Sequence, residues 1–250
     1  MQNYDLHVHS NYSDGKNSIE EIIKKAISLK LKCIGISDHS YTHFDESYCI
    51  KKSDIEAYKS EIISLKSKYN NKIDVKLGIE QDFYSEYNTD GFDYIIGSVH
   101  YLKIQNEYIP VDESAEILKS AADKYFSGNI YELIDIYYKT VADVVYKTNA
   151  DIIGHFDLIT KFNENNVLFD EFDERYISSF KFAADKLLKT GKVFEINTGA
   201  ISRGYRSAPY PSDIIYKYLK DNGAKFILSS DSHSVETLCY NFEHYNLMTK

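Results

Sequence analysis

The 250-residue chain has no tryptophan, only three prolines and only three cysteines. Cys33, Cys49 and Cys239 are widely separated and odd in number, which argues against a disulfide framework and against a cysteine-type zinc site. Reduced thiols fit this pattern. No low-complexity tract, linker or internal repeat is found. No apolar run approaches membrane-spanning length, and the chain enters Tyr4-Asp5-Leu6-His7-Val8-His9 without the basic segment and apolar core of a signal peptide. A cytoplasmic protein with no membrane partner is expected. Positive charge is also short, with 29 Lys and Arg against 38 Asp and Glu, a net charge of −9 and a pI near 5.4. Nucleic acid and anionic lipid both require clustered basic side chains, so neither is expected as a partner. A phosphorylated substrate would have to find its positive charge locally, from bound metal or a few placed basic residues.

What is present is enough apolar residue, 43% of 250, to bury a substantial core, and a single domain over 1–250 is expected. Tyrosine is abundant at 23 residues, but its number alone marks no site. Seven short β-prone segments recur at 4–8, 32–38, 73–79, 94–99, 151–156, 193–198 and 225–230. They are nearly continuous in apolar residues, as strands buried on both faces are. Helix signatures lie between them. Ser18-Ile19-Glu20-Glu21 reads as a capping box, and Ser53-Asp54-Ile55-Glu56 repeats the pattern. Further helices are expected over 130–148, 171–190 and 211–221. The alternation implies an α/β fold with parallel strands joined by crossover helices. Residues 101–129 lack clean periodicity and read as an insertion, either a surface excursion or a lid over the active face.

The chemistry-bearing residues follow the strands. His7 and His9 close the first segment, Asp38 and His39 the second, Glu80 the third, His100 the fourth, His155 the fifth, and Asp231 with His233 the seventh. Six of the eight histidines thus fall at strand C-terminal ends, which in a parallel barrel form one face where active sites assemble. His43 and His244 are read as ordinary loop or helix residues. His-x-His places two imidazoles on one side of an extended strand, within reach of one ion. Alone it is a weak motif, since about one chain in four with this histidine content would contain it by chance. Its coincidence with the other strand ends carries the argument. Imidazole with carboxylate suits Zn²⁺, Mn²⁺ or Fe²⁺. Asp14, Glu80 and Asp231 with six histidines exceed the needs of one ion, so two or three are expected, with Glu80 bridging a pair. Three divalent ions against three carboxylates leave an excess of about three positive charges for a phosphate group. Ions of this kind also activate water, so hydrolysis would need no protein nucleophile.

As an ordered series these residues resemble the PHP (polymerase and histidinol phosphatase) family, and within it the monofunctional histidinol-phosphate phosphatases. The carriers are Asp5-Leu6-His7-Val8-His9-Ser10 with Asp14, Ser37-Asp38-His39-Ser40, Gly78-Ile79-Glu80, Ile96-Gly97-Ser98-Val99-His100, Ile153-Gly154-His155-Phe156-Asp157, Glu195-Ile196-Asn197-Thr198 and Ser230-Asp231-Ser232-His233. The likeness covers nearly the whole chain. It implies a distorted TIM-like (β/α)7 barrel with a trinuclear metal site: His7, His9, Glu80 and Asp231 at the first ion, Glu80, His100 and His155 at the second, Asp14, His39 and His233 at the third. It also implies hydrolysis of L-histidinol phosphate, a small phosphorylated substrate, in histidine biosynthesis. Arg203 and Lys161 stand where similar enzymes hold the substrate phosphate, and Arg206 could replace Arg203. Asp231 and His233 are candidates for proton handling beside Glu80. Asp38 and Ser232 are expected either to orient neighbouring imidazoles or to serve as turn residues, and Asn197 to face substrate or cap its strand. Two rival readings keep the metal site: a phosphatase for another small ester or a phosphodiesterase, and a metal-binding regulatory domain without turnover. The sequence leaves the oligomeric state open.

Overall fold

The computed structural model describes residues 2–249. Each of the seven expected segments contributes a strand to one seven-stranded sheet: β1 (Tyr4–Asp5), β2 (Cys33–Ile36), β3 (Asp74–Asp82), β4 (Tyr94–Ser98), β7 (Ile152–Ile153), β8 (Val193–Asn197) and β9 (Lys225–Ser229). Neighbours in that order pair in parallel. The sheet curls until its ends meet. Val8 bridges Ser232, and the Gln2 side-chain amide exchanges two hydrogen bonds with the Leu228 backbone, at 2.6 and 2.9 Å. The buried Asp5 carboxylate accepts from the Ser230 hydroxyl across the same seam. The result is a distorted TIM-like barrel.

β1 is shorter than the 4–8 expected because side chains replace part of its ladder. The Leu6 carbonyl accepts from the Tyr94 hydroxyl at 2.5 Å, and the Val8 amide donates to Ser37 Oγ at 3.1 Å. Tyr94 reaches that carbonyl by crossing the barrel interior above Gly35 and Gly78, where any Cβ would lie within 2.2 Å of its ring or hydroxyl. Residues 151–156 likewise yield only two strand residues before the chain turns toward His155.

The crossover helices are α1 (Ile19–Ser28) and α2 (Ile55–Tyr69) in the first half. In the second are α4 (Ile130–Val141), α5 (Val144–Thr148), α6 (Glu174–Leu188), the one-turn α7 (Gly199–Ser202) and α8 (Asp213–Asp221). The capping box at Ser18 and Glu21 forms in both directions. The one expected at Ser53 does not: Asp54 is the N-cap and makes no side-chain cap bond, while Ser53 Oγ donates to the Asp54 carboxylate. The helix expected over 130–148 divides, because its two parts pack on different partners. α4 lies in the core with α6, whereas α5 presses on β4, where a Cβ at Gly97 would be 2.7 Å from Thr148 and Ala150. Residues 101–129 are ordered too, as a hairpin of β5 (Tyr101–Ile104) and β6 (Glu107–Pro110) followed by α3 (Ala115–Phe126). Its tight turn uses Gln105 at positive φ, a weaker signal than Asn-Gly. α9 (Phe242–Tyr245) packs Phe242 against Leu228 of β9 and Ile196 of β8. No helix among the described residues is long and apolar enough to cross a membrane.

Candidate metal centre

Every strand of the barrel delivers a polar side chain to the same end. Glu80 sits within the last residues of β3, and the ordered segments after β1, β2, β4, β7 and β9 bring His7 and His9, His39, His100, His155, and Asp231 with His233 around it. All are buried except Asp14 and His233, which lie nearer the surface. His43 and His244 are exposed and stand apart, as expected.

The donor atoms form three overlapping groups, each within 4.8 Å: His9, Asp14, His39 and His233; His7, His9 and Glu80; His39, Glu80 and His100. Glu80 is the hub. Its Oε2 lies 3.2 Å from His7 Nε2, 3.6 Å from His9 Nε2 and 2.8 Å from His39 Nδ1, and its Oε1 lies 3.4 Å from His100 Nε2 and 2.9 Å from His155 Nε2. Asp231 Oδ1 is 3.2 Å from His9 Nε2, and Asp14 Oδ2 is 3.2 Å from His233 Nε2. The nine expected ligands converge, and the members of each set that the resemblance implies lie together, with overlaps between the sets. His9 joins Asp14, His39 and His233, and His39 stands with Glu80 and His100, its two nitrogens facing two different groups.

The donor set fits divalent cations. The buried atoms His7 Nε2, both His9 nitrogens and Glu80 Oε2 have no hydrogen-bond partner, and such groups normally do. Converging lone pairs in a nearly dry site are what a cation would satisfy. Burial opposes charge on Glu80, yet His7, His39 and His100 hold its carboxyl well below the usual range. Burial together with His233 and His39 lowers His9 to about 3, keeping that ring neutral.

Two carboxylates that the sequence reading passed over orient these rings. Glu195 accepts from His7 Nδ1 at 2.6 Å and from the His155 amide at 2.8 Å, which leaves His7 Nε2 for an ion. Asp82 lies 3.3 Å from His100 Nδ1. The signal for Glu195 was present: an acid between Phe194 and Ile196 in a strand buried on both faces is costly without a partner. His233 Nδ1 lies 3.0 Å from both the Asp231 carbonyl and the Arg203 guanidinium, and its Nε2 faces Asp14. Asp38 orients no imidazole. Its carboxylate receives the Ser10 amide and the Ser10 and Ser13 hydroxyls, fastening the loop that carries Asp14. Ser232 has a turn role, bonding Ser234 and Thr237. Asn197 faces inward, donating to Glu195 at 2.9 Å and Asp231 at 3.3 Å.

Beside the ligands opens a cavity of about 340 Å³, whose walls include His39, His100, His155, Asp231, His233, Tyr48, Tyr101, Asp112, Lys161 and Arg203. Arg203 donates to Asp231 Oδ2 at 3.0 Å and to the Asp231 carbonyl at 2.8 Å. Burial opposes ionisation of Asp231, but Arg203 and His7 hold it well below the usual range. Lys161 also lines the cavity, its ammonium bound to the Asp112 carbonyl and carboxylate at 2.7 and 3.1 Å. Arg206 does not line it. That side chain is buried against Thr160 and Asp157.

A parallel barrel with convergent histidine and carboxylate donors at the C-terminal ends of its strands defines a metal-binding α/β-barrel protein. The PHP domain model matches residues 5–199, and the chain belongs to the PHP family. A Bacillus subtilis protein named histidinol-phosphatase is 23% identical over 98% of each chain. Among solved structures, a Listeria monocytogenes chain superposes with a TM-score of 0.80 at 21% identity, covering 97% of this chain and 99% of its own. The histidinol phosphate phosphatase of Lactococcus lactis, complexed with zinc, L-histidinol and phosphate, has a TM-score of 0.73 at 22% identity, covering 99% and 92%. These structural likenesses carry the fold.

Proposed function

We propose that the chain is a phosphomonoesterase that hydrolyses L-histidinol phosphate to L-histidinol and phosphate, a step of histidine biosynthesis, using three divalent ions drawn from Zn²⁺, Mn²⁺ and Fe²⁺. The observation that carries the reading is the convergence of nine candidate ligand side chains, Glu80 and the five histidines around it among them, beside an arginine-bearing cavity. Support for the ester comes from the names of relatives matched over nearly their full length. The chain acts as one domain over 1–250, and a cytoplasmic setting agrees with its three free cysteines.

Bound divalent ions would supply positive charge for the phosphate oxygens and acidify water into a nucleophile. The protein's share is placement. Glu80 holds the donor groups in register. Arg203, at the cavity wall, hydrogen-bonds the phosphoryl oxygens as charge develops on them. Lys161 adds a second positive charge to that wall. Asp231, tied to Arg203 and beside His9, and His233, at the more open edge, are placed to carry the proton that the leaving alkoxide needs.

Steady-state kinetics on L-histidinol phosphate and a panel of phosphomonoesters, each with Mn²⁺, Zn²⁺, Fe²⁺ and Mg²⁺, tests this reading. Histidinol phosphate should lead in kcat/KM. A large preference for a sugar phosphate would move the assignment to another ester. Fully metallated protein releasing no phosphate from any ester, with Glu80→Gln changing nothing, would remove the enzymatic reading.

A further inference from the structure

Arg206 stands three residues from Arg203 yet turns away from the cavity, and its side chain is only 7% exposed. Its Nη1 donates to Thr160 Oγ1, lies 3.8 Å from Asp157 Oδ2, and the guanidinium sits 5.0 Å from the Tyr210 ring centre. Thr160 ends the short turn after β7 and directly precedes Lys161. The Arg206 backbone is in turn bonded to Ala200 of α7, the helix whose end carries Arg203.

The same two loops are joined elsewhere. The Ser212 amide donates to Asp157 Oδ2 at 2.8 Å, the Tyr205 ring meets Phe162 edge-on at 5.6 Å, and the Ser207 hydroxyl reaches Glu164. Arg206 is the buried tie among them. It is also an expensive one: Arg206 Nε, Asp157 Oδ1, Tyr210 OH and Ser212 Oγ are all buried without partners. A buried charge so incompletely paired is poor evidence for a stabilising role, and packed hydrocarbon would serve stability better.

We propose that Arg206 is a positioning residue for Arg203. It pins the loop after β8 to the turn after β7, and so holds Arg203 facing the cavity that Lys161 lines from the other loop. The inference rests on reading that cavity as a phosphate site. Arg206 acts only through Arg203 and touches no substrate atom.

The test is calorimetric binding of inorganic phosphate to Mn²⁺-loaded protein, with metal content checked for each variant. Arg206→Gln should weaken phosphate binding on the order of tenfold, since small misplacement of an oriented group is costly. In an Arg203→Ala background the same substitution should cost nothing further. Thr160→Val, which removes the acceptor while keeping the shape, should reproduce the loss and reads the role even where Arg206→Gln fails to fold. Equal losses with and without Arg203 would overturn the proposal and make Arg206 a direct contact. Unchanged phosphate affinity in Thr160→Val and Arg206→Gln would overturn it outright. Wild-type protein that binds no phosphate would instead remove the phosphate-site reading on which it rests.

Discussion

Glu195 shows how far a single buried charge reaches. Its two oxygens serve His7 Nδ1, the His155 amide and the Asn197 side-chain amide, so it sets the tautomer of one ligand and the position of another. Glu195→Gln keeps the shape but loses the charge and turns an N–H toward one of those donors. Affinity for metal should fall about 10–100-fold, the usual cost of removing an outer partner of a ligating histidine. Competition against a chromophoric chelator measures it, and unchanged affinity in a normally folded variant would assign Glu195 to packing alone. The ligands themselves were legible from residue type and strand-end register. Glu195 was harder to see because it lies inside its strand, where only the cost of burying a carboxylate marks it, and Asp82 because β3 runs three residues past the segment expected to end at 79. Arg206 was misjudged for a related reason: sequence places a side chain in a loop but does not say which way the loop faces.

At the scale of elements, parallel strands were readable from apolar runs and crossover helices from their caps, but capping by pattern is fallible. Ser18 and Ser53 precede helices with the same spacing to a glutamate, and only Ser18 makes the reciprocal bonds. Ser18→Ala should therefore cost about 1 kcal/mol, and Ser53→Ala a few tenths at most. Chemical denaturation of the two variants gives the comparison, and equal losses would contradict the assigned caps. The 101–129 segment escaped the sequence because its strands have four residues each and its turn lacks glycine. Tyr94 was equally unreadable as a structural residue: its role depends on Gly35 and Gly78 lying beneath it on two neighbouring strands, a relation that exists only once β2, β3 and β4 are in register.

Across the whole molecule, the barrel gathers buried donor atoms without hydrogen-bond partners that a cation would satisfy. Histidines and carboxylates from both halves of the chain meet at one end, and the seam between β1 and β9 lies directly below His7, His9 and Asp231. Metal should accordingly stabilise the folded barrel as well as serve its chemistry. Ligand linkage gives about 2.7 kcal/mol for each site held at a hundredfold excess over its Kd. For a chain of this length about 1 kcal/mol corresponds to roughly 2–4 °C in Tm, so chelation should lower Tm by about 5–10 °C per ion released. The release should also be ordered. The side chains of Asp14 and His233 are 35% and 22% exposed, against 0% for His7 and Glu80, so the group they belong to exchanges with solvent first. Stepwise EDTA titration followed by calorimetry and metal analysis should show one ion leaving readily and the remainder only as the barrel loosens. Asp14→Asn should abolish the first step and leave the second. A Tm indifferent to chelation and to added Mn²⁺ would show that the donor cluster is stable without cations, and would count against the metal centre itself.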